Sequence, residues 1–128
     1  MKKTVRLEEM NTRVFIEGGY DTAIVPLGSC ESHGDHLPFA NDALIAHALA
    51  LGVAEKMERV CVLPPTFFGF SQHYWHKPMS ISLRQDTNIR VIEDILDSLA
   101  HWKIANVLII NGHDGNISAI DVASRDVR

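Results

Sequence analysis

Thr22-Ala-Ile-Val-Pro-Leu27 is a strand-like run that gives way, four residues later, to a cluster of acids and imidazoles: Glu31-Ser-His33-Gly-Asp-His36-Leu-Pro-Phe-Ala-Asn-Asp42. A short apolar run bounded by turn residues reads as a buried strand. The pattern recurs at Val107-Leu-Ile-Ile110, which leads into Asn111-Gly-His113-Asp-Gly-Asn116. Helical patterns fill the space between. Over Ala43 to Met57, the residues Leu44, Ile45, Ala48, Leu49 and Gly52 recur at three- and four-residue steps and predict one inward face. Asn41 or Asp42 stands where an N-cap belongs. Val60 to Leu63 reads as a second strand, closed by Pro64-Pro65. A long loop from Thr66 to Met79, rich in aromatics and histidines, precedes an extended piece, Ser80 to Leu83. Asp86 or Thr87 is the expected cap of the next helix, whose apolar face is Ile92, Ile95, Leu96, Leu99 and Trp102. Asn106 to Ile110 is a third strand, uniformly apolar as a strand covered on both faces is. A last helix begins at Gly115, with Ile117, Ile120 and Val127 inward.

Strands alternating with helices imply βαβ crossovers, hence an α/β fold: three α/β/α layers around a mostly parallel sheet. Ligands of such sheets sit beyond the carboxyl ends of the strands. Both clusters are therefore expected at one rim. The 128 residues suffice for a single domain over residues 1–128. Hydrophobic content of 46% and charged content of 22% are ordinary for a globular protein. A net charge of −4 without a basic stripe argues against nucleic acid as a partner. No apolar stretch is long enough to span a membrane, and the charged start has no apolar segment behind it. Cys30 and Cys61 are too few for a disulfide framework and read as buried thiols. A reducing, cytoplasmic location is expected.

Carboxylate oxygens and neutral imidazole nitrogens suit zinc, manganese or ferrous iron. Glu31 and His33 are two apart and share a face if extended. Asp42 is either a helix cap or a carboxylate whose two oxygens bridge two ions. His113 adds a ligand from the second loop. Two close cations activate a water, whose pKa falls from about 15.7 toward 7, and polarise a carbonyl, the needs of amide hydrolysis. Gly69-Phe-Ser-Gln-His73-Tyr-Trp-His76 is either a substrate wall, with His73 nearest the cleft, or a plug of aromatics at the sheet end or an interface.

Pro26-Leu-Gly-Ser-Cys-Glu31-Ser-His33-Gly-Asp-His36-Leu-Pro38, with Asp42 four residues on, resembles the signature of the creatininase (creatinine amidohydrolase) family. Asn111-Gly-His113-Asp-Gly-Asn116 resembles its second motif. Phe68-Gly-Phe-Ser-Gln-His73 and Pro78-Met-Ser-Ile-Ser-Leu83 are similar to intervening family segments. Two multi-residue motifs in register make the likeness specific.

The resemblance implies a creatininase-like fold and two divalent ions per site. Glu31 and His113 would hold one ion, His33 the other, and Asp42 would bridge them. Glu31, His36 and His73 would be the catalytic or substrate-side residues. The implied reaction is attack of metal-bound hydroxide on a carbonyl or formyl carbon. It would cleave a non-peptide C–N bond (amide, lactam or formamide) in a small nitrogenous molecule, often within a homo-oligomer. Creatinine hydrolases proper carry a glutamate ligand two residues after the second-motif histidine, where this chain has Gly115. That moves the expectation away from creatinine and toward the formamide deformylase-like or other members. Family members are longer and carry a later histidine-alanine-glycine motif absent here. The chain is therefore expected to correspond to the front portion of the family fold. Its alternative role is a truncated or non-catalytic, metal-binding subunit whose partner chain supplies that motif.

Overall fold

The computed structural model describes residues 3–126. Three parallel strands, β1 (Thr22–Leu27), β2 (Val60–Val62) and β3 (Asn106–Asn111), stand in the order β2-β1-β3. The helices are α1 (Thr12–Gly18), α2 (Asn41–Ala54), α3 (Gln85–His101) and α4 (Ile117–Arg125).

Alternation along β1 distributes the core. Ile24 packs with Ala50 and Ala54 of α2 and with Val60 and Val62. Val25 and Leu27 point the other way, onto Ile92 and Leu96 of α3 and Ala119 and Ala123 of α4. Ala23 and Cys61 meet Ile104, with Phe15 of α1 beside them. One helix thus covers one face and three cover the other, the expected α/β/α layering. Burial pushes the Cys61 thiol pKa up, which keeps it neutral and unreactive.

Pro26 lies in the central strand, where a missing N–H usually breaks a ladder. Its carbonyl accepts from Thr66 N at 3.1 Å on the β2 side, where β2 has already ended at Val62. After β1 the chain crosses over one face to β2, then over the other face to β3 on the opposite side of β1. The crevice of such a reversal opens beyond the carboxyl ends of the strands.

Several details differ from the sequence expectations. The inward face of α2 is the reverse of the predicted one: Asp42, Ala43, Ala46, Ala50 and Ala54 are buried, while Leu44, Ile45, Ala48, Leu49 and Gly52 are exposed. The helix is apolar all round, and close approach to the sheet selects alanine. A Cβ on Gly28 would overlap the Ala43 backbone. Leu49→Gln, at 57% exposure, is accordingly expected to change stability by under about 0.5 kcal/mol, and Ala50→Leu to cost about 1–3 kcal/mol, as urea unfolding would read.

The N-cap of α2 is Ala40, without a side-chain cap, and the helix ends at Ala54 rather than Met57. Asp42 is inside the first turn, with its carboxylate engaged elsewhere. The N-cap of α3 is Arg84, with no capping by Asp86 or Thr87. Trp102 is 71% exposed because the helix ends at His101. β3 is exposed at Asn106, Val107 and Leu108, since it is an edge strand among the described residues and only partly covered. Asp114–Asn116 form a 3-10 turn before α4, which turns Ile117 outward; Ala119 and Ala123 are buried, and Ile120 packs beside them. Val127 falls outside the described residues. Helix α1 lies where no element was predicted.

Candidate metal centre

Glu31 follows the Gly28-Ser29 turn at the exit of β1, and its N–H donates to the Phe39 carbonyl at 3.1 Å, closing the acid/imidazole loop. Asp42 enters from the first turn of α2. His113 follows the exit of β3, where Gly112 N donates to Leu27 O at 2.8 Å. Their side chains are 4%, 7% and 3% exposed as residues, and one donor atom from each lies within 4.8 Å of the others.

The two oxygens of Asp42 face two different imidazoles. Oδ1 is 2.9 Å from His33 Nε2, and Oδ2 is 2.9 Å from His113 Nδ1. Glu31 Oε1 is 3.3 Å from His113 Nδ1 and 3.9 Å from His33 Nε2. Glu31 Oε2 is buried with no hydrogen-bond partner. His33 donates its Nδ1–H to the Glu31 carbonyl at 3.1 Å, which leaves Nε2 for the cleft. Burial alone would push the Asp42 carboxyl up. Hydrogen bonds from Ser29 and Asn41, the neighbouring His33 and the His113 contact outweigh that and hold its pKa below the usual carboxylate value. Asp42 is therefore anionic at neutral pH, as a ligand must be. A buried orphan carboxylate oxygen beside two imidazoles is a donor set that fits a divalent cation of the zinc or manganese kind.

The structure thus gathers Glu31, His33, Asp42 and His113 from three elements. His73 is exposed, but its ring stacks on that of His113 at 6.0 Å and 13°. His36 is exposed in the loop tip and takes part in none of the cluster's contacts. Asp114 is exposed and outside the cluster. Gly115 is sterically required: a Cβ there would overlap Phe70 O and crowd His113 Nε2.

Ser29, Ser71 and Asn88 were not singled out from sequence. Ser29 Oγ donates to Asp42 Oδ2 at 2.9 Å; Ser71 Oγ is 3.3 Å from His113 Nε2. Their only sequence signal is proximity to motif residues, and Asn88, in an early turn of a helix, carries none.

Residues 8–128 match the creatininase (creatinine amidohydrolase) family. The chain belongs to the creatininase family. Among its relatives, the mycofactocin precursor peptide peptidase of Mycolicibacterium smegmatis is 31% identical over 105 residues, covering 78% of this chain and 42% of the relative. A 2-amino-5-formylamino-6-ribosylaminopyrimidin-4(3H)-one 5'-monophosphate deformylase of Methanococcus maripaludis is 31% identical over 126 residues, 94% of this chain and 54% of that one. A solved creatinine amidohydrolase superposes with a TM-score of 0.84 at 28% identity, over 98% of this chain and 52% of that one. Further creatininase structures of this fold include manganese and zinc–zinc forms. The chain spans about half the length of the relatives and structures it matches.

Proposed function

We propose that this chain carries the cation-binding portion of a creatininase-family hydrolase that cleaves the C–N bond of an amide, lactam or formamide in a small nitrogenous substrate. The observation that carries the reading is Asp42, with one oxygen toward His33 and the other toward His113, beside the unpartnered Glu31 oxygen. Glu31 and His113 would hold one divalent ion, His33 the second, and Asp42 both. Bound cations there supply Lewis acidity and a water acidified toward neutral pH. The protein's own contribution is a rigid, buried cradle of preset charge. His73, stacked beside His113, stands at the open side, where a substrate carbonyl would accept its N–H; Tyr74 and Trp75 extend that wall with flat surfaces for a ring. His36, at the loop tip, is left a substrate-side role.

Gly115 favours formamide or other substrates over creatinine, because creatinine hydrolases proper carry a glutamate ligand at this position and the Phe70 carbonyl leaves no room for one here. We place the protein in the reducing cytoplasm. Cys30 and Cys61 are both free thiols, and no helix among the described residues is long and apolar enough to cross a membrane.

Elemental analysis with a zinc or manganese titration tests the centre: two ions per chain are expected, falling in Glu31→Gln together with any hydrolysis. Unaltered stoichiometry in that variant would remove the assignment. Formate release from a formamidopyrimidine, against creatine release from creatinine, reads the substrate.

A second reading rests on the outer edge of β3. That edge is unpaired among the described residues, Leu108 beside it is exposed, and so are Leu44, Ile45 and Leu49 of α2. An apolar edge without a charge or bulge invites pairing. In this reading a further copy or a partner chain covers it and completes the site. Full metal loading without hydrolysis, together with a co-purifying second polypeptide, would favour it.

A further inference from the structure

Asn116, three residues after His113, is 2% exposed, and every hydrogen-bonding position of its amide is used. Nδ2 donates to Gly28 O at 3.0 Å and to Asn111 Oδ1 at 3.3 Å. Oδ1 accepts from Asn88 Nδ2 at 3.0 Å and from Phe70 N at 3.4 Å.

Each partner leads to the site. Gly28 is at the exit of β1, three residues before Glu31. Asn111 accepts from His113 N at 3.1 Å and donates to His113 O at 2.7 Å, so it fixes that residue's backbone. The Phe70 carbonyl takes the Nε2–H of His113 at 2.6 Å. Gly69 leaves no slack, since a Cβ there would overlap Asn116 Oδ1. Asn88, 3% exposed on α3, makes its only side-chain hydrogen bond among the described residues to Asn116.

An imidazole nitrogen that keeps its proton cannot also ligate a cation. A fixed acceptor at one ring nitrogen therefore decides which nitrogen the protein offers. We propose that Asn88 and Asn116 are positioning residues: by holding the N–H of Phe70 they fix that residue's backbone, so that its carbonyl accepts the Nε2–H of His113 and leaves Nδ1 to meet a cation beside Glu31 and Asp42. The cation half of this statement rests on the proposed function above; the proton half does not. Ser71 Oγ, at 3.3 Å from the same nitrogen, is the more distant partner.

The test is ring-nitrogen NMR of His113 in 15N-labelled protein, metal-free and after addition of zinc. Nε2 is expected to carry its proton in both states, and zinc to attach at Nδ1. An unprotonated Nε2 in the metal-free protein, or zinc attached at Nε2, overturns the proposal. Asn88→Asp keeps the shape but replaces the donor N–H with an acceptor facing Asn116 Oδ1. It is expected to weaken zinc binding about tenfold and to move the His113 ring shifts. Unchanged affinity with unchanged shifts would end the role of Asn88. Should that variant fail to fold, Asn88→Ser, with a donor of shorter reach, is read in the same way. A wild-type protein that binds no zinc refutes the metal reading, while ring protonation in the metal-free protein still decides this one.

Discussion

His113→Ala is expected to weaken zinc binding by more than about 100-fold, beyond what loss of an outer partner costs, and to lower metal-free stability by about 3 kcal/mol. His113 is 3% exposed and stands between Glu31 Oε1 at 3.3 Å and Asp42 Oδ2 at 2.9 Å. Its removal leaves two buried carboxylates with His33 as their remaining imidazole neighbour and opens a void between them. Titration calorimetry and urea unfolding measure the two effects. A thermal shift gives a third readout: zinc at 100 times its Kd stabilises the native protein by about 2.7 kcal/mol, and the variant should show none of that gain at the same concentration. Wild-type affinity in His113→Ala would mean that the cluster is a buried polar network and no cation site.

Gly112→Ala should be nearly as damaging, although it removes nothing. A Cβ at Gly112 would overlap the carbonyl oxygen of Asp42 and press on Ala46. The obstacle is the backbone of the first turn of α2, so no rotamer change relieves it. A cost of about 3 kcal/mol is expected, with zinc binding lost because Asp42 is the residue displaced. Gly52→Ala is the control. It lies in the same helix, its Cβ would meet nothing within 4 Å, and a gain of about 0.5–1 kcal/mol is expected. Denaturant midpoints for the pair separate overpacking from helix propensity. Equal stabilities would show that α2 is free to move away from the sheet.

Two glycines, Gly28 and Gly112, decide which face of α2 is buried. The hydrophobic period of α2 located the helix well, but Leu44, Ile45 and Leu49 looked like its inner face. A helix apolar on every side has no stripe to read, and the choice falls to distance. Gly28 and Gly112 bring strand exits so near the start of α2 that alanine, at Ala43 and Ala46, is what fits beneath it. The same limit applies to β3. Its residues are apolar enough for a two-faced core, yet its first half is exposed, because cover depends on what packs alongside it.

The candidate donor residues are legible because acids and imidazoles packed close together after strand-like runs have few structural reasons to be there. Glu31, His33, Asp42 and His113 are named by type and spacing alone, and the parallel order of the strands follows from the alternation of periods. Three-dimensional packing decided the rest: which Asp42 oxygen meets which imidazole, that His36 stays at the rim while His73 stacks on His113, and that Asn88 reaches the centre through Asn116. Local sequence sets which groups are available and which strand they follow. Hydrogen-bond partners tens of residues apart depend on sub-ångström placement of whole elements, a property of the assembled core that no stretch of chain encodes by itself.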